Sequence, residues 1–342
     1  MAVGGELLEV DDLSVSLPTD DGWVEVLDRV TFSVRAGEFV GLAGESGSGK
    51  TMSALSILQL LPSRRAKVSG SITFKGIDLL HLSRAKVRQL RAAEIAFVSQ
   101  DAMSALHPAI TVGNQIAETI RAHESVSKKA ARQRAIELLG LVGIPEPQRR
   151  AGQLSYEFSG GMQQRVAIAM ALSCQPSLLI ADEPTTALDV TVQAQITELL
   201  ASLQQELEMA VLFVSHDLGL LAGICHRLIV MYAGQVVEQA SVDQLFETPQ
   251  HPYTEALLLS APHPEMKGLR LPAIPGSPPF AGLFPNGCRF HPRCKYALPA
   301  CAAHDIPVTD LGDRRVVRCI RHGELDLELD LQVHIEAAAS DA

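Results

Sequence analysis

Apolar and polar residues alternate along "LLEVDDLSVSL" and again along "VEVLDRVTFSV", with the turn-like "PTDDG" between them. This period of two predicts a pair of strands. "EFVGLAG" reads as a buried strand, and "TMSALSILQLL" as a helix that Pro62 stops. Short strands follow in "GSITFKG" and "EIAFVSQ". Between about residues 101 and 165 the spacing turns helical, in "TVGNQIAETIRAH" and the basic-faced "KKAARQRAIELLGLVG". "PSLLIADEP" and "AVLFVSHD" are again buried-strand runs. The helix between them, "TVQAQITELLASLQQELE", gathers Val192, Ile196, Leu199, Leu200, Leu203 and Leu207 on one face. "RLIVMYAGQVVEQA" reads as a hairpin. Strands alternating with helices predict an α/β fold with a mainly parallel sheet covered on both faces.

Near residue 250 the texture changes to proline-rich ("LPAIPGSPPFAGLFP") and then to cysteine-containing sequence, which divides the chain into 1–250 and 251–342. The last residues, "ELDLELDLQVHIEAAASDA", predict an edge strand and a frayed tail. A chain of 342 residues, 47% hydrophobic and 20% charged, has the composition of an ordinary soluble globular protein. No uninterrupted apolar run reaches the roughly 18 residues needed to span a bilayer. The richest stretch is broken by His216, Asp217, His226 and Arg227. The acidic start lacks the basic region of a signal peptide, so a cytoplasmic location is expected. A net charge of −10 argues against broad electrostatic binding to nucleic acid.

The octapeptide "GESGSGKT" (Gly44, Glu45, Ser46, Gly47, Ser48, Gly49, Lys50 and Thr51) sits behind the "EFVGLAG" strand and leads through Met52 into a helix. It fits G-x-x-x-x-G-K-[ST]. Glycines let backbone N–H groups turn inward around phosphate oxygens, and the helix N-terminus adds positive potential. Lys50 then reaches the β- and γ-phosphates of ATP, and Thr51 offers a hydroxyl to Mg²⁺. A surface hairpin would account for the glycines but not for the ordered Gly-Lys-Thr ending. "LLIADEP" supplies the other half: Asp182 delivers a carboxylate to Mg²⁺, and Glu183 beside it polarises the attacking water. Together the two halves imply a nucleotide triphosphatase.

"SGGMQQR", "LLIADEPTTALD" and "LFVSHD" resemble the ATP-binding subunits of ABC transporters, and the resemblance runs from about residue 6 to 322 with every expected motif in order. It implies a P-loop NTPase core of the ABC ATPase type within 1–250, an inserted helical subdomain at about 101–165, and a small Cys-containing extension over 251–342. It implies that Ser159, Gly160 and Gly161 form a signature turn touching the γ-phosphate held by an opposing subunit. Gln100 is implied to touch Mg²⁺ and sense the membrane subunits, Asp189 to be the D-loop aspartate, and His216 the switch histidine on the γ-phosphate. Met162 stands where glutamine is usual. Leu17 stands where an aromatic ring usually stacks on adenine, with Trp23 as the nearby substitute.

"HPYTEALLLSAP" and "IPGSPPFAGLFPNGCRFHPRC" resemble the extension of oligopeptide and dipeptide importer ATPases, a group that includes nickel importers. "DAMSALHPAITVGNQIAE" resembles that group's segment after Gln100, with His107 where asparagine is common. The implied protein is the ATP-hydrolysing subunit of a di- or oligopeptide importer, peripheral on the cytoplasmic face of the cell membrane. Its implied partners are two transmembrane permease subunits, a second ATP-binding subunit and, indirectly, a periplasmic or lipid-anchored solute-binding protein. A nickel or other solute importer, and an ABC ATPase outside transport, are the alternatives.

Cys288, Cys294, Cys301 and Cys319 are spaced C-x5-C-x6-C-x17-C, wider than the tight pairs of zinc ribbons. The resemblance favours a [4Fe–4S] cluster of structural role, with free thiols as the plain alternative. Arg289, Arg293, Lys295, Arg315, Arg318 and Arg321 flank the thiols and are expected to offset their negative charge. Cys174 and Cys225 lie in apolar segments expected to be buried.

Overall fold

The computed structural model describes residues 5–186, 188–261 and 273–327. The first two strands, β1 (Glu6–Thr19) and β2 (Gly22–Arg35), pair antiparallel through a turn at Asp20–Asp21. β3 (Phe39–Ala43) leaves for a second sheet, while β4 (Lys67–Phe74) and β5 (Ile77–Asp78) return to the first, in the order β2-β1-β4-β5. The remaining strands are β6 (Ile95–Val98), β7 (Leu178–Asp182), β8 (Ala210–Ser215), β9 (Arg227–Tyr232), β10 (Gln235–Ser241), β11 (Thr309–Asp310) and β12 (Val316–Val317). With β3 they form the order β11-β12-β10-β9-β3-β8-β7-β6. The β9-β3-β8-β7-β6 part is parallel, as expected, and β10 to β12 add antiparallel strands at one edge. The separate antiparallel sheet is a feature that the strand–helix alternation does not predict. The alternation over residues 328–342 lies outside the described residues.

Side-chain alternation in the parallel strands separates two cores. Val40 and Leu42 of β3, Leu178 and Ile180 of β7, and Ala210, Leu212 and Val214 of β8 share one face, packed on β1, β2 and β4. Phe39, Leu179, Ala181, Val211 and Phe213 share the other, under the helices. Both faces are dry, which is why these strands read as continuous apolar runs. Each fully buried large side chain contributes about 1.5–3 kcal/mol by leaving water.

In chain order the helices are α1 (Lys50–Ile57), α2 (Arg84–Ala93), α3 (Ala102–Ala105), α4 (Val112–His123), α5 (Lys128–Leu141) and α6 (Pro147–Arg150). They are followed by α7 (Gly160–Ala171), α8 (Val190–Leu207), α9 (Leu218–Ala222), α10 (Val242–Glu247), α11 (Pro252–Leu259) and α12 (Pro299–Ala303). Within 101–165, Val112, Ile116 and Ile120 of α4 meet Ala131, Ala135 and Leu139 of α5 and Val166 of α7. Ser127 caps α5 by accepting from the Ala130 N–H.

Helix α1 ends at Ile57 rather than at Pro62. Gln59 turns left-handed (φ +50°), its N–H bonds Ser56 O at 3.0 Å, and the Leu60 N–H bonds Leu55 O at 2.8 Å. This Schellman motif satisfies the terminal carbonyls before the proline is reached. Arg91 adds a further cap, donating to Leu58 O and Gln59 O.

The residues after 250 pack directly on the core. Val317 of β12 pairs with Glu238 of β10, and Arg314 bonds both Glu38 and Glu6. Tyr232, Tyr253 and Phe290 pack as three rings with centroids 4.6, 5.2 and 5.2 Å apart. Such contacts are worth about 0.5–1.5 kcal/mol per pair beyond their burial.

Candidate functional site

The strand β3 runs straight into the glycine-rich loop, which α1 then closes. Gly44 has φ +146° and Gly49 φ +106°. A Cβ at Gly44 would lie 2.2 Å from Met231 O, and one at Gly49 2.7 Å from Leu27 Cδ2. Neither conformation nor space admits a side chain there. Lys50 is buried, and its Nζ donates to Gly44 O at 2.8 Å and Glu45 O at 3.0 Å. Burial pushes the Lys50 pKa below its ordinary value, against the opposing pull of Glu183, Asp182 and Glu45. Ser48 Oγ is buried inside the loop with no hydrogen-bond partner.

Asp182 ends β7, and its Oδ1 accepts from Thr51 Oγ1 at 3.1 Å. Burial raises the Asp182 pKa, the Thr51 bond lowers it, and neighbouring Glu183 raises it again. In an extended strand Asp182 and Glu183 would point to opposite faces. Glu183 instead adopts φ +46°, a conformation that costs roughly 1–2 kcal/mol for a residue with a Cβ, and its N–H donates to Val214 O at 2.9 Å. The turn brings its carboxylate to 3.4 Å from His216 Nδ1 and 4.0 Å from Lys50 Nζ, while Oε2 accepts from Thr186 Oγ1 at 3.0 Å. Strain of this kind gathers at functional sites. The loop, its lysine and two adjacent carboxylates have the arrangement of a P-loop nucleoside triphosphatase.

Gln100 is exposed and lies two residues past the end of β6, whose Val98 pairs with Ala181 just before Asp182. Ser159 caps α7 without a side-chain cap bond, and Ser159 and Gly160 are exposed. Among the described residues, no hydrogen bond or ion pair joins the Ser159–Gly161 turn to the Gly44–Thr51 loop. Asp189 is the N-cap of α8, accepting from Val192 N–H at 3.0 Å. Met52 and Leu17 are partly buried against the β1-side core. Trp23 is exposed, with Lys67 Nζ 4.0 Å from its ring centroid. Cys225 is buried, but Cys174 is only half-buried.

Two residues of the loop's surroundings escape sequence reading. Arg293 grips Glu45 with both ends of its fork, at 2.7 and 3.1 Å, and Tyr253 OH accepts the Glu45 N–H at 2.8 Å. An acidic residue inside a phosphate loop was the available signal that a cation must lie nearby.

Cys288, Cys294, Cys301 and Cys319 line one cavity, together with His251 and Phe290. The space between them is about 20 Å³, the size of one water, so a larger group requires the side chains to draw back. Among the described residues, no group of three or more His, Cys, Asp or Glu converges on a single metal ion. Two backbone N–H groups are nonetheless aimed at sulfur. Leu298 N–H donates to Cys301 Sγ at 3.4 Å and Arg321 N–H to Cys319 Sγ at 3.4 Å. Burial and the neighbouring thiols push Cys288 up to about 12 and Cys319 up to about 11. The expected cationic screen is mostly directed elsewhere. Arg289 pairs with Glu25 and Asp28, Arg293 with Glu45, and Lys295 with Glu255. Arg315 reaches Glu238, and Arg318 donates to backbone carbonyls. Among these six cations Arg321 acts on Cys294 and Cys319, although its fork also bonds Glu324 and Tyr296 O.

Residues 27–186 match the family model described as ABC transporter, and residues 237–301 match oligopeptide/dipeptide transporter, C-terminal region. The dipeptide transport ATP-binding protein DppD of Escherichia coli (strain K12) is 47% identical over 320 residues, covering 94% of this chain and 97% of its own. The oligopeptide transport ATP-binding protein OppD of Bacillus subtilis (strain 168) is 46% identical over 314 residues, covering 91% and 88%. A solved dimeric ATP-binding cassette in a post-hydrolysis state, bound to ADP and Pi, superposes with a TM-score of 0.62 at 28% identity, over 69% of this chain and 98% of that one. This chain belongs to the ABC transporter family, as one of its ATP-hydrolysing subunits. No helix among the described residues is long and apolar enough to cross a membrane.

Proposed function

We propose that this protein drives the import of di- or oligopeptides, working at the cytoplasmic face of the membrane with two permease subunits and a second ATP-binding subunit. The peptide-transport names of its relatives and the match of residues 237–301 support the solute class. The observation that carries the mechanism is the meeting of Lys50, Glu183 and His216 beside Thr51 and Asp182. Lys50 holds the β- and γ-phosphates. Thr51 and Asp182 offer the hard oxygen ligands that suit Mg²⁺, which supplies charge neutralisation on the phosphates when bound, and Gln100 completes its surroundings. Glu183 orients and polarises the attacking water, and His216 steadies the γ-phosphate.

The turn of Ser159, Gly160 and Gly161, exposed at its first two residues, opens a twelve-residue helix and caps the γ-phosphate held by the opposing subunit, with Asp189 beside that interface. A solute-binding protein hands peptide to the permeases and never meets this chain. The four thiols would hold an iron–sulfur cluster with a structural task only once their side chains draw back from the present space, a reading supported by their gathering around one site and by the backbone N–H groups aimed at sulfur. Iron and acid-labile sulfide in the purified chain, lost in Cys294→Ser, is the expected result; wild-type protein free of both rejects it. Uptake of labelled di- and oligopeptides should vanish in a deletion strain, whereas loss of Ni²⁺ uptake alone would assign the chain to a metal importer.

A further inference from the structure

Every polar group of Glu45 is held, and two of the three side chains that hold it come from beyond residue 250. Its C=O accepts from Lys50 Nζ at 3.0 Å, its N–H donates to Tyr253 OH at 2.8 Å, and its carboxylate takes both ends of the Arg293 fork at 2.7 and 3.1 Å. This is not a surface ion pair. The Arg293 side chain is only 6% exposed, and its remaining N–H groups go to Pro275 O at 2.8 Å, Tyr232 OH at 3.3 Å and Ile274 O at 3.4 Å. All five guanidinium donors are engaged, which fixes the fork in one orientation. Tyr253 is fully buried between Tyr232 and Phe290, so its hydroxyl is equally fixed.

We propose that Arg293 and Tyr253 are positioning residues of the ATP site, which set the Glu45 peptide and cancel a carboxylate that would otherwise repel the triphosphate. The chemistry asks for both tasks. A phosphate loop works by aiming backbone N–H groups and a lysine at anionic oxygens, and Glu45 places a negative charge within that same loop. Arg293 neutralises it bidentately. Tyr253 accepts the Glu45 N–H from the other side, and Lys50 donates to the Gly44 and Glu45 carbonyls so oriented. Neither residue touches the nucleotide; each acts through Glu45. The inference rests on reading Gly44–Thr51 as the triphosphate cradle.

The test is titration of the full-length chain with a fluorescent ATP analogue, alongside thermal unfolding. Arg293→Gln should weaken binding about tenfold, the order expected when a buried charge loses its partner. Arg293→Lys, which keeps the charge but not the fork, should lie between that variant and wild type. The deciding variant is Glu45→Gln combined with Arg293→Gln: with the carboxylate gone, binding should return to within about threefold of wild type. A merely structural arginine gives no such recovery. Arg293→Gln binding as tightly as wild type, or a double variant as weak as the single, overturns the proposal. If Arg293→Gln fails to fold, the double variant alone decides, by the same threshold. Lys50→Ala separates the underlying reading. Binding lost in Lys50→Ala but unchanged in Arg293→Gln rejects only the role of Arg293, whereas binding retained in Lys50→Ala rejects the cradle and the proposal together.

Discussion

His216 Nδ1 lies 3.4 Å from Glu183 Oε1, an oxygen that is also 4.0 Å from Lys50 Nζ. One carboxylate oxygen therefore faces both the histidine and the loop lysine. Glu183→Gln keeps the shape of this arrangement and removes its basicity. Turnover should fall at least about 100-fold while ATP is still bound, because general-base assistance of this kind contributes roughly 10²–10⁴-fold. Phosphate release, read beside the nucleotide retained after rapid filtration, checks the two halves of that statement.

Asp182 and Thr51 are joined at 3.1 Å, and both present oxygen. Asp182→Asn should raise the Mg²⁺ concentration for half-maximal hydrolysis by about tenfold or more. A titration of ATPase rate against Mg²⁺ at fixed ATP measures it.

Neighbouring glycines of the signature turn should fail in different ways. A Cβ at Gly160 meets only Leu188 Cδ2, at 3.6 Å, whereas one at Gly161 would lie 2.5 Å from Val192 Cγ1. Gly160→Asp should fold normally yet suppress ATPase activity, since in the proposed pairing its carboxylate would face the opposing subunit's phosphates. Gly161→Ala should instead lose about 1–3 kcal/mol of stability through overpacking. Thermal unfolding and turnover, measured on both, separate the two.

Glu38 is nearly buried and accepts from Arg227 Nε at 3.1 Å, Arg314 Nη1 at 2.8 Å and the Arg35 N–H at 2.8 Å. Burial alone would raise its pKa, but the two guanidinium groups and the backbone bond hold it below the ordinary 4.5. A carboxyl whose folded pKa is depressed stabilises the fold above its unfolded value and loses that contribution as pH falls through the folded one. The stability gap between wild type and Glu38→Gln should be about 3 kcal/mol at neutral pH. It should stay level down to about pH 4.5 and close below it, as denaturant midpoints across pH would show.

The strands and helices of the core were legible because their evidence is local. Period-two and helical spacing, and the loop between β3 and α1, are properties of adjacent residues. Glu183 was legible as a residue but not in its left-handed turn, which no neighbouring glycine announces. The α1 terminus was misplaced because a visible proline outweighed a glutamine in the Schellman position. The arginines around the thiols were misassigned for another reason. Their partners, Glu25, Asp28 and Glu45, lie far back in the chain, and spacing carries no information about contacts formed only when the sheet closes. The sheet of β1, β2, β4 and β5 was hidden similarly: its members were visible, but its separation from the parallel strands depends on pairing rather than pattern.

The tie between Glu38 and Arg314 has a consequence for how the chain is made. The acid and its second guanidinium are 276 residues apart in the chain, so translation delivers one long before the other. Before Arg314 is made, the carboxylate beside β3 has Arg227 and the Arg35 N–H as its partners. The contact thereby ties the strand that feeds the nucleotide loop to residues made long after it, and a chain cut short of Arg314 lacks that second clamp.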